Sequence, residues 1–162
     1  KHITELNSVL INESNITSND SIHNFSNYLV YLIDGKKLNT FDILNEIFLL
    51  KNFDIKTGNS EYFFNNALLV KNEKSIKAYN IVNGNLFWSI DINKIITKKS
   101  KIIHVRKYNE YLQIFFDNGK VIIILNNDIF KIIDLKLNNA NLVYFQNNKM
   151  FISLKNGKTT VF

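Results

Sequence analysis

Cysteine and proline are absent from the 162 residues, and Trp, Met and Arg occur once each. Without cysteine there is no disulfide framework, no thiolate metal site and no thiol nucleophile. Glycine is held to five residues, none of them in a run that would cradle a phosphate. The longest unbroken aliphatic run is Val121 to Leu125, far short of the ~20 residues a membrane-crossing helix needs. Lys and Arg number 20 against 14 Asp and Glu, a formal charge of +6. Arginine is the residue suited to bidentate phosphate and guanine contacts, yet Arg106 stands alone and the lysines are scattered through turns and strand ends. The charge therefore reads as a solvated basic surface, with no nucleic-acid partner. The N-terminus, Lys1-His2-Ile3-Thr4, is neither a start methionine nor a signal peptide.

What is abundant is Lys, Asn, Ile, Phe and Tyr, whose codons are AT-rich; an AT-rich genome accounts for much of the composition. The five glycines are placed with purpose. They form Asp34-Gly35, Thr57-Gly58, Asn83-Gly84, Asn118-Gly119 and Asn156-Gly157, each soon followed by an apolar run. Such dipeptides accept positive φ and suit tight turns between antiparallel strands. Short β-branched or aromatic runs lie between turns at Tyr28 to Ile33, Ala67 to Val70, Leu112 to Phe116, Val121 to Leu125 and Met150 to Leu154, and these read as strands. The best helix candidate, Leu44 to Lys51, lacks a cap and is rich in Ile, Phe and Leu.

The strands recur as a repeat. Tyr28 to Ile55, Asn66 to Ile92 and Tyr111 to Leu137 share one order: apolar strand, polar turn, second strand, second turn, third strand. A fourth copy begins at Lys149 and stops at the chain end. The first turns fall at Gly35, Lys74, Gly119 and Gly157, spaced 39, 45 and 38 residues apart. A further strand candidate precedes each copy, at Ser21 to Phe25, Ser60 to Phe64, Lys101 to Arg106 and Asn141 to Gln146. Four short antiparallel strands per forty-odd residues is the signature of a β-propeller blade. The fold class is therefore all-β: a single propeller domain over 1-162, with units at 21-55, 60-92, 101-137 and 141-162. Three units are full and the fourth is partial, which predicts part of a larger ring, for example an eight-bladed one. A closed four-bladed ring, with His2 to Ile11 supplying the last strand, is the alternative, and a two-sheet sandwich is the alternative architecture. Blades stack face to face, so runs such as Leu86 to Trp88 are expected to be covered on both faces.

Chemistry is hard to find. The three histidines, His2, His23 and His104, are far apart in sequence. Asp34, Asp54, Asp91, Asp117, Asp128 and Asp134 recur at strand ends, where Asp bonds backbone turns. No catalytic, cofactor-binding or metal-binding residue is assigned. Tyr108 and Tyr111 flank a turn at Asn109-Glu110, where they read as strand-end aromatics covering a blade. The stretch Lys94 to Lys107, with Lys94, Lys98, Lys99, Lys101 and Arg106, reads as a solvated connection between blades. The sequons at Asn12, Asn15 and Asn24 are expected by chance in so Asn-rich a chain.

One segment carries a resemblance. In Ser75 to Ile92, Asn80, Asn83, Gly84 and Trp88 stand where a pyrroloquinoline-quinone-like propeller repeat has Asp, Thr or Asn, Gly and Trp. The first unit keeps Asp42 but has Glu46 and Leu49 at the Gly and Trp places, and the third has Asn126-Asn127-Asp128 and no Trp. By this motif Trp88 is an inter-blade packing residue. More broadly, Ala67 to Phe162 resembles the later blades of BamB-like lipoproteins of the outer-membrane β-barrel assembly machinery, through Asn83-Gly84, the Lys-rich connection Lys94 to Lys101, and Asn118-Gly119-Lys120. This resemblance implies a non-catalytic, protein-binding scaffold on the periplasmic side of the outer membrane, bound to the barrel-assembly subunit and needing no cofactor. It assigns no contact residue. The alternative is a domain or subunit of a quinoprotein-type dehydrogenase, whose vicinal disulfide and calcium-binding acid cluster this chain lacks. A further alternative is a structural propeller subunit of another complex from an AT-rich genome.

Overall fold

The computed structural model describes residues 22–33, 35–55, 60–93, 95–97 and 99–162. The closing-strand candidate His2 to Ile11, the Thr57-Gly58 turn, Asp34, Lys94, Lys98 and the sequons at Asn12 and Asn15 lie outside them. Every regular element is a strand, fifteen in all among the described residues, and none is a helix that could cross a membrane.

Four antiparallel sheets follow in chain order. The first holds β1 (Ile22–Phe25), β2 (Tyr28–Ile33), β3 (Lys37–Asp42) and β4 (Ile47–Asp54). The second holds β5 (Ser60–Phe64), β6 (Ala67–Lys71), β7 (Ser75–Asn80) and β8 (Leu86–Asp91). The third holds β9 (Ile102–Tyr108), β10 (Tyr111–Phe116), β11 (Lys120–Leu125) and β12 (Asp128–Asp134). The fourth has three strands, β13 (Ala140–Gln146), β14 (Lys149–Leu154) and β15 (Thr159–Val161). Each strand pairs with its neighbour in sequence, so every connection within a sheet is a hairpin.

Asparagine turns as many corners as glycine. The first hairpin of each sheet has a non-glycine residue at positive φ: Ser26, Asn65, Asn109, and both Asn147 and Asn148. Asn tolerates this region because its short amide bonds locally. Glycine is needed where the turn is crowded. Gly119, at φ +78, would press an added Cβ against the Leu137 backbone.

The candidate helix Leu44 to Lys51 is a turn and a strand. Asp42 Oδ1 accepts the Leu44 and Asn45 N–H groups at 3.0 and 3.2 Å, which closes the turn. Glu46 then adopts φ +56, which a helix cannot contain, and Ile47 begins β4.

Two compact units emerge. One comprises the first sheet and Ile81–Asn85. Within it Leu29 and Tyr31 pack with Ile33, Phe41, Ile43 and Phe48 on one face. The Thr40 hydroxyl donates to the Ile81 carbonyl, and the Phe53 ring lies 2.7 Å from where a Cβ on Gly84 would stand. The buried Asn39 accepts the Asn52 N–H at 2.8 Å, satisfying β4 where the β3–β4 register shifts.

The other unit stacks the second, third and fourth sheets. Their first strands are the neighbours: β5 lies against β9, and β9 against β13. A bond from Ile102 N–H to Ser60 Oγ, 2.9 Å, ties β9 to β5. Between the second and third sheets lies the largest core, including Leu69, Ile76, Ile90, Ile114, Phe116 and Ile122. Between the third and fourth lies a smaller one of Phe115, Val121, Ala140, Val143 and Ile152. The fourth strands are mostly exposed. Leu86 and Phe87 are each 50% exposed, contrary to the expectation of two-sided cover, because β8 is the outermost strand of its sheet.

Candidate functional site

Alternation along β9 and β10 sends two kinds of residue to the two faces of the third sheet. Val105, Ile114 and Phe116 go to the core shared with the second sheet. His104, Arg106, Gln113 and Phe115 go to the side of the fourth sheet, paired in register as Arg106 with Gln113 and His104 with Phe115.

Arg106 is the centre of this arrangement. Its guanidinium lies over the Phe145 ring at 3.4 Å and within 5.2 Å of the Tyr108 ring. Its Nε donates to Gln113 Oε1 at 2.7 Å. No carboxylate pairs with it among the described residues; its partners are Gln113 and the two aromatic rings. Burial pushes the guanidinium below its ordinary range, although arginine stays charged throughout the working pH range. His104, between the Phe115 and Phe145 rings at 5.7 and 5.9 Å, is lowered by burial first and by Arg106 second.

Beside Arg106 an open cleft of about 560 Å³ separates the third and fourth sheets. Val121, Ile123, Ile133, Leu135, Met150 and Phe162 form its apolar wall. Gln146, Asn147, Asn148 and Lys149, at the β13–β14 turn, form a polar rim.

The other residues singled out in the sequence have structural duties. Trp88 packs against the core between the second and third sheets, as its motif predicts. It also lines a smaller hollow of about 280 Å³ with Phe64, Phe87 and Leu112. Asp91, Asp117 and Asp134 accept backbone N–H groups from Asn93, Lys101 and Lys136, and Asp54 pairs with Lys37 at 2.8 Å. Tyr111 packs on Phe130, ring centroids 5.3 Å apart, while Tyr108 is 56% exposed. Asn24 is exposed on β1. His23 and His104 join no group of metal-ligating residues among the described residues; His2 lies outside them.

The Lys94 to Lys107 stretch differs from its reading as solvated connection throughout. Ile96 and Ser100 are buried, the Ile95 carbonyl accepts Lys120 Nζ at 2.7 Å, and everything from Ile102 on is β9. In the sequence Arg106 was legible as the sole arginine within a basic stretch, with no sign of its partners. Its place directly opposite Gln113 is a fact of pairing.

No family model matches the sequence, and no curated protein does. Solved structures do match in shape. BamB from Moraxella catarrhalis aligns with TM-score 0.60 and 16% identity, over 87% of this chain and 41% of that one. The WD40 domain of SCAP from fission yeast aligns at 0.59 and 13%, over 88% and 41%. BBS1N, in complex with ARL6DN, aligns at 0.56 and 11%, over 88% and 49%. The chain thus spans under half the length of each. At such identities the likeness is one of fold, and with the four blade-like sheets it establishes the architecture: an all-β chain of antiparallel β-propeller blades.

Proposed function

We propose that this chain is a non-catalytic, protein-binding scaffold with quinoprotein-like repeats, working as BamB-type components of the outer-membrane β-barrel assembly machinery do, on the periplasmic side of that membrane. The observation that carries the reading is the outward face of the fourth sheet. Leu142, Tyr144 and Val161 are 52, 41 and 51% exposed there, and Tyr144 stacks on Phe151 with ring centroids 4.8 Å apart and planes 5° apart. Register places Tyr144, Phe151 and Val161 side by side across β13, β14 and β15. Exposed aromatic and aliphatic anchors on a rigid sheet are what protein partners bury. The likeness in fold to BamB and the motif at Asn80, Asn83, Gly84 and Trp88 support the choice of partner.

The test is direct binding of the chain to the purified barrel-assembly subunit, by interferometry. Saturable binding that Leu142→Glu with Tyr144→Glu removes is the expected result; both positions are exposed, so the fold survives. Absence of binding by the unsubstituted chain overturns the assignment. Fractionation should place the protein with the outer membrane, and added quinone should give no dye-linked dehydrogenase turnover.

A further inference from the structure

We propose that Asn83 is a site of spontaneous covalent modification, losing ammonia by attack of the Gly84 nitrogen and leaving aspartate and isoaspartate in its place. The inference concerns the Ile81–Asn85 segment and stands apart from the scaffold reading.

Three Asn-Gly pairs lie among the described residues, at Asn83, Asn118 and Asn156. In each, the Asn side-chain oxygen accepts the N–H two residues on: that of Asn85 at 3.0 Å, of Lys120 at 3.2 Å and of Lys158 at 3.1 Å. Each carboxamide is thus folded forward over the glycine that follows it. The pairs differ at the glycine nitrogen, which is the nucleophile. Gly119 N–H donates to the Phe116 carbonyl and Gly157 N–H to the Leu154 carbonyl, both at 3.0 Å. A bonded N–H keeps its proton and points at its acceptor. Gly84 N–H has no hydrogen-bond partner among the described residues, and Asn83 is exposed to water.

The fold also holds the reactive pair in place. Gly84 sits at φ +74, with the Phe53 ring 2.7 Å from where a Cβ would stand. Backbone and packing therefore both demand glycine, and glycine is the neighbour that least obstructs ring closure. A base in the solvent removes the Gly84 N–H proton. The nitrogen bonds to Asn83 Cγ, and the Cγ–N bond of the carboxamide breaks to release ammonia. The succinimide so formed takes up one water, which opens the ring at either carbonyl. One opening gives aspartate; the other gives isoaspartate, whose main chain runs through Cβ. Both add a negative charge to an exposed turn. Isoaspartate also lengthens the chain by one carbon between the two contacts that hold this segment to the first sheet, the Thr40–Ile81 hydrogen bond and Phe53 over Gly84.

The test is to keep the intact chain in warm, mildly alkaline buffer and follow conversion of amide to acid by peptide mass. Asn83 should convert about fivefold faster than Asn118 or Asn156, the rate equivalent of the one net hydrogen bond that guards each of those glycine nitrogens. In urea, where the turns are lost, the three should convert at similar rates. Isoaspartyl methyltransferase, which methylates the isoaspartate carboxylate, should label the peptide around residue 83 first. Asn83→Gln should abolish that label, because the larger ring its side chain must form closes far more slowly. Conversion of Asn118 or Asn156 as fast as Asn83 in the folded chain overturns the proposal. So does the same order and spread in urea, which would assign the difference to neighbouring residue types rather than to the geometry of the turns.

Discussion

On one face of the third sheet, Ile114, Phe116, Ile122 and Ile124 disappear into the core shared with the second sheet. On the other face, the same strands send out Phe115 and Val121 to a smaller core, then Gln113 and Ile123 to an open cleft. The strands, the twist and the composition are common to both faces. What differs is the partner: four strands on one side and three on the other. Between the two four-stranded sheets the core reaches Trp88 on β8 and Ile129 on β12, although other side chains of those outer strands stay exposed. A three-stranded sheet covers the inner part and leaves side chains of β11 and β12 facing a gap. The first face is closed by packing from both sheets, and on the second the side chains reach an open cleft.

The largest effects should come from cutting into the two cores in parallel. Ile114 is fully buried in the larger one and Ile152 nearly so in the smaller. Truncating a buried Ile to Ala costs about 2–5 kcal/mol, the spread reflecting how far the site can collapse. Ile114→Ala should fall at the upper end, because its neighbours are held from both sheets. Ile152→Ala should fall at the lower end, because the adjoining cleft lets the fourth sheet settle. Urea unfolding of both variants measures the difference. Equal losses would break the comparison and mean that the fourth sheet is held as firmly as the second.

Two glycine turns sharpen it at a smaller scale. Gly119 and Gly157 occupy the same turn in successive sheets, at φ +78 and +82. Around Gly157 nothing lies within 4 Å of an added Cβ, while at Gly119 the Leu137 backbone blocks it. Gly157→Ala should therefore cost only the left-handed backbone, about 1–2 kcal/mol. Gly119→Ala adds an overpacking cost of about 1–3 kcal/mol that backbone atoms cannot relax as a flexible side chain would.

These turns also show how far the sequence could be read. The repeat register was legible because Gly35, Gly119 and Gly157 mark equivalent second hairpins. The first hairpins were harder, because Asn65, Asn109 and Asn147 do a glycine's work within a composition already crowded with Asn. A local test follows: Asn147→Gly should be nearly neutral, whereas Asn147→Ala should cost about 1 kcal/mol, since Ala has no amide to offset positive φ. The strand Ile47–Asp54 could be mistaken for a helix because a short apolar run has no decisive period, and the positive φ at Glu46 is invisible in the residue name. Exposure of Leu86 and Phe87 was illegible because an outermost strand and a central one can share composition. The surroundings of Arg106 were illegible for a related reason: cross-strand pairing brings Arg106 to Gln113 only once the sheet has formed.

The smallest expected effect is a pH dependence confined to the open face. His104 lies between the Phe115 and Phe145 rings with Arg106 two residues on. Burial and that cation both disfavour its protonated form, so its folded pKa lies below the ordinary value of 6.5. The unfolded chain therefore binds the proton more readily, and stability must fall as pH drops below about 6.5 and through the lowered folded value. Above 6.5 the histidine is neutral in both states and contributes no slope. His23 is lowered in the same sense by burial, whereas Asp42 and Asp134, lowered from 3.8, lose their contribution only at more acid pH. Melting temperatures between pH 7.5 and 5 should decline in the unsubstituted chain and decline less in His104→Gln. The residual slope should fall further when His23→Gln is added. An unchanged slope in His104→Gln would mean that the third and fourth sheets open enough to hydrate the imidazole, and the fixed aromatic wall behind Arg106 would go with it.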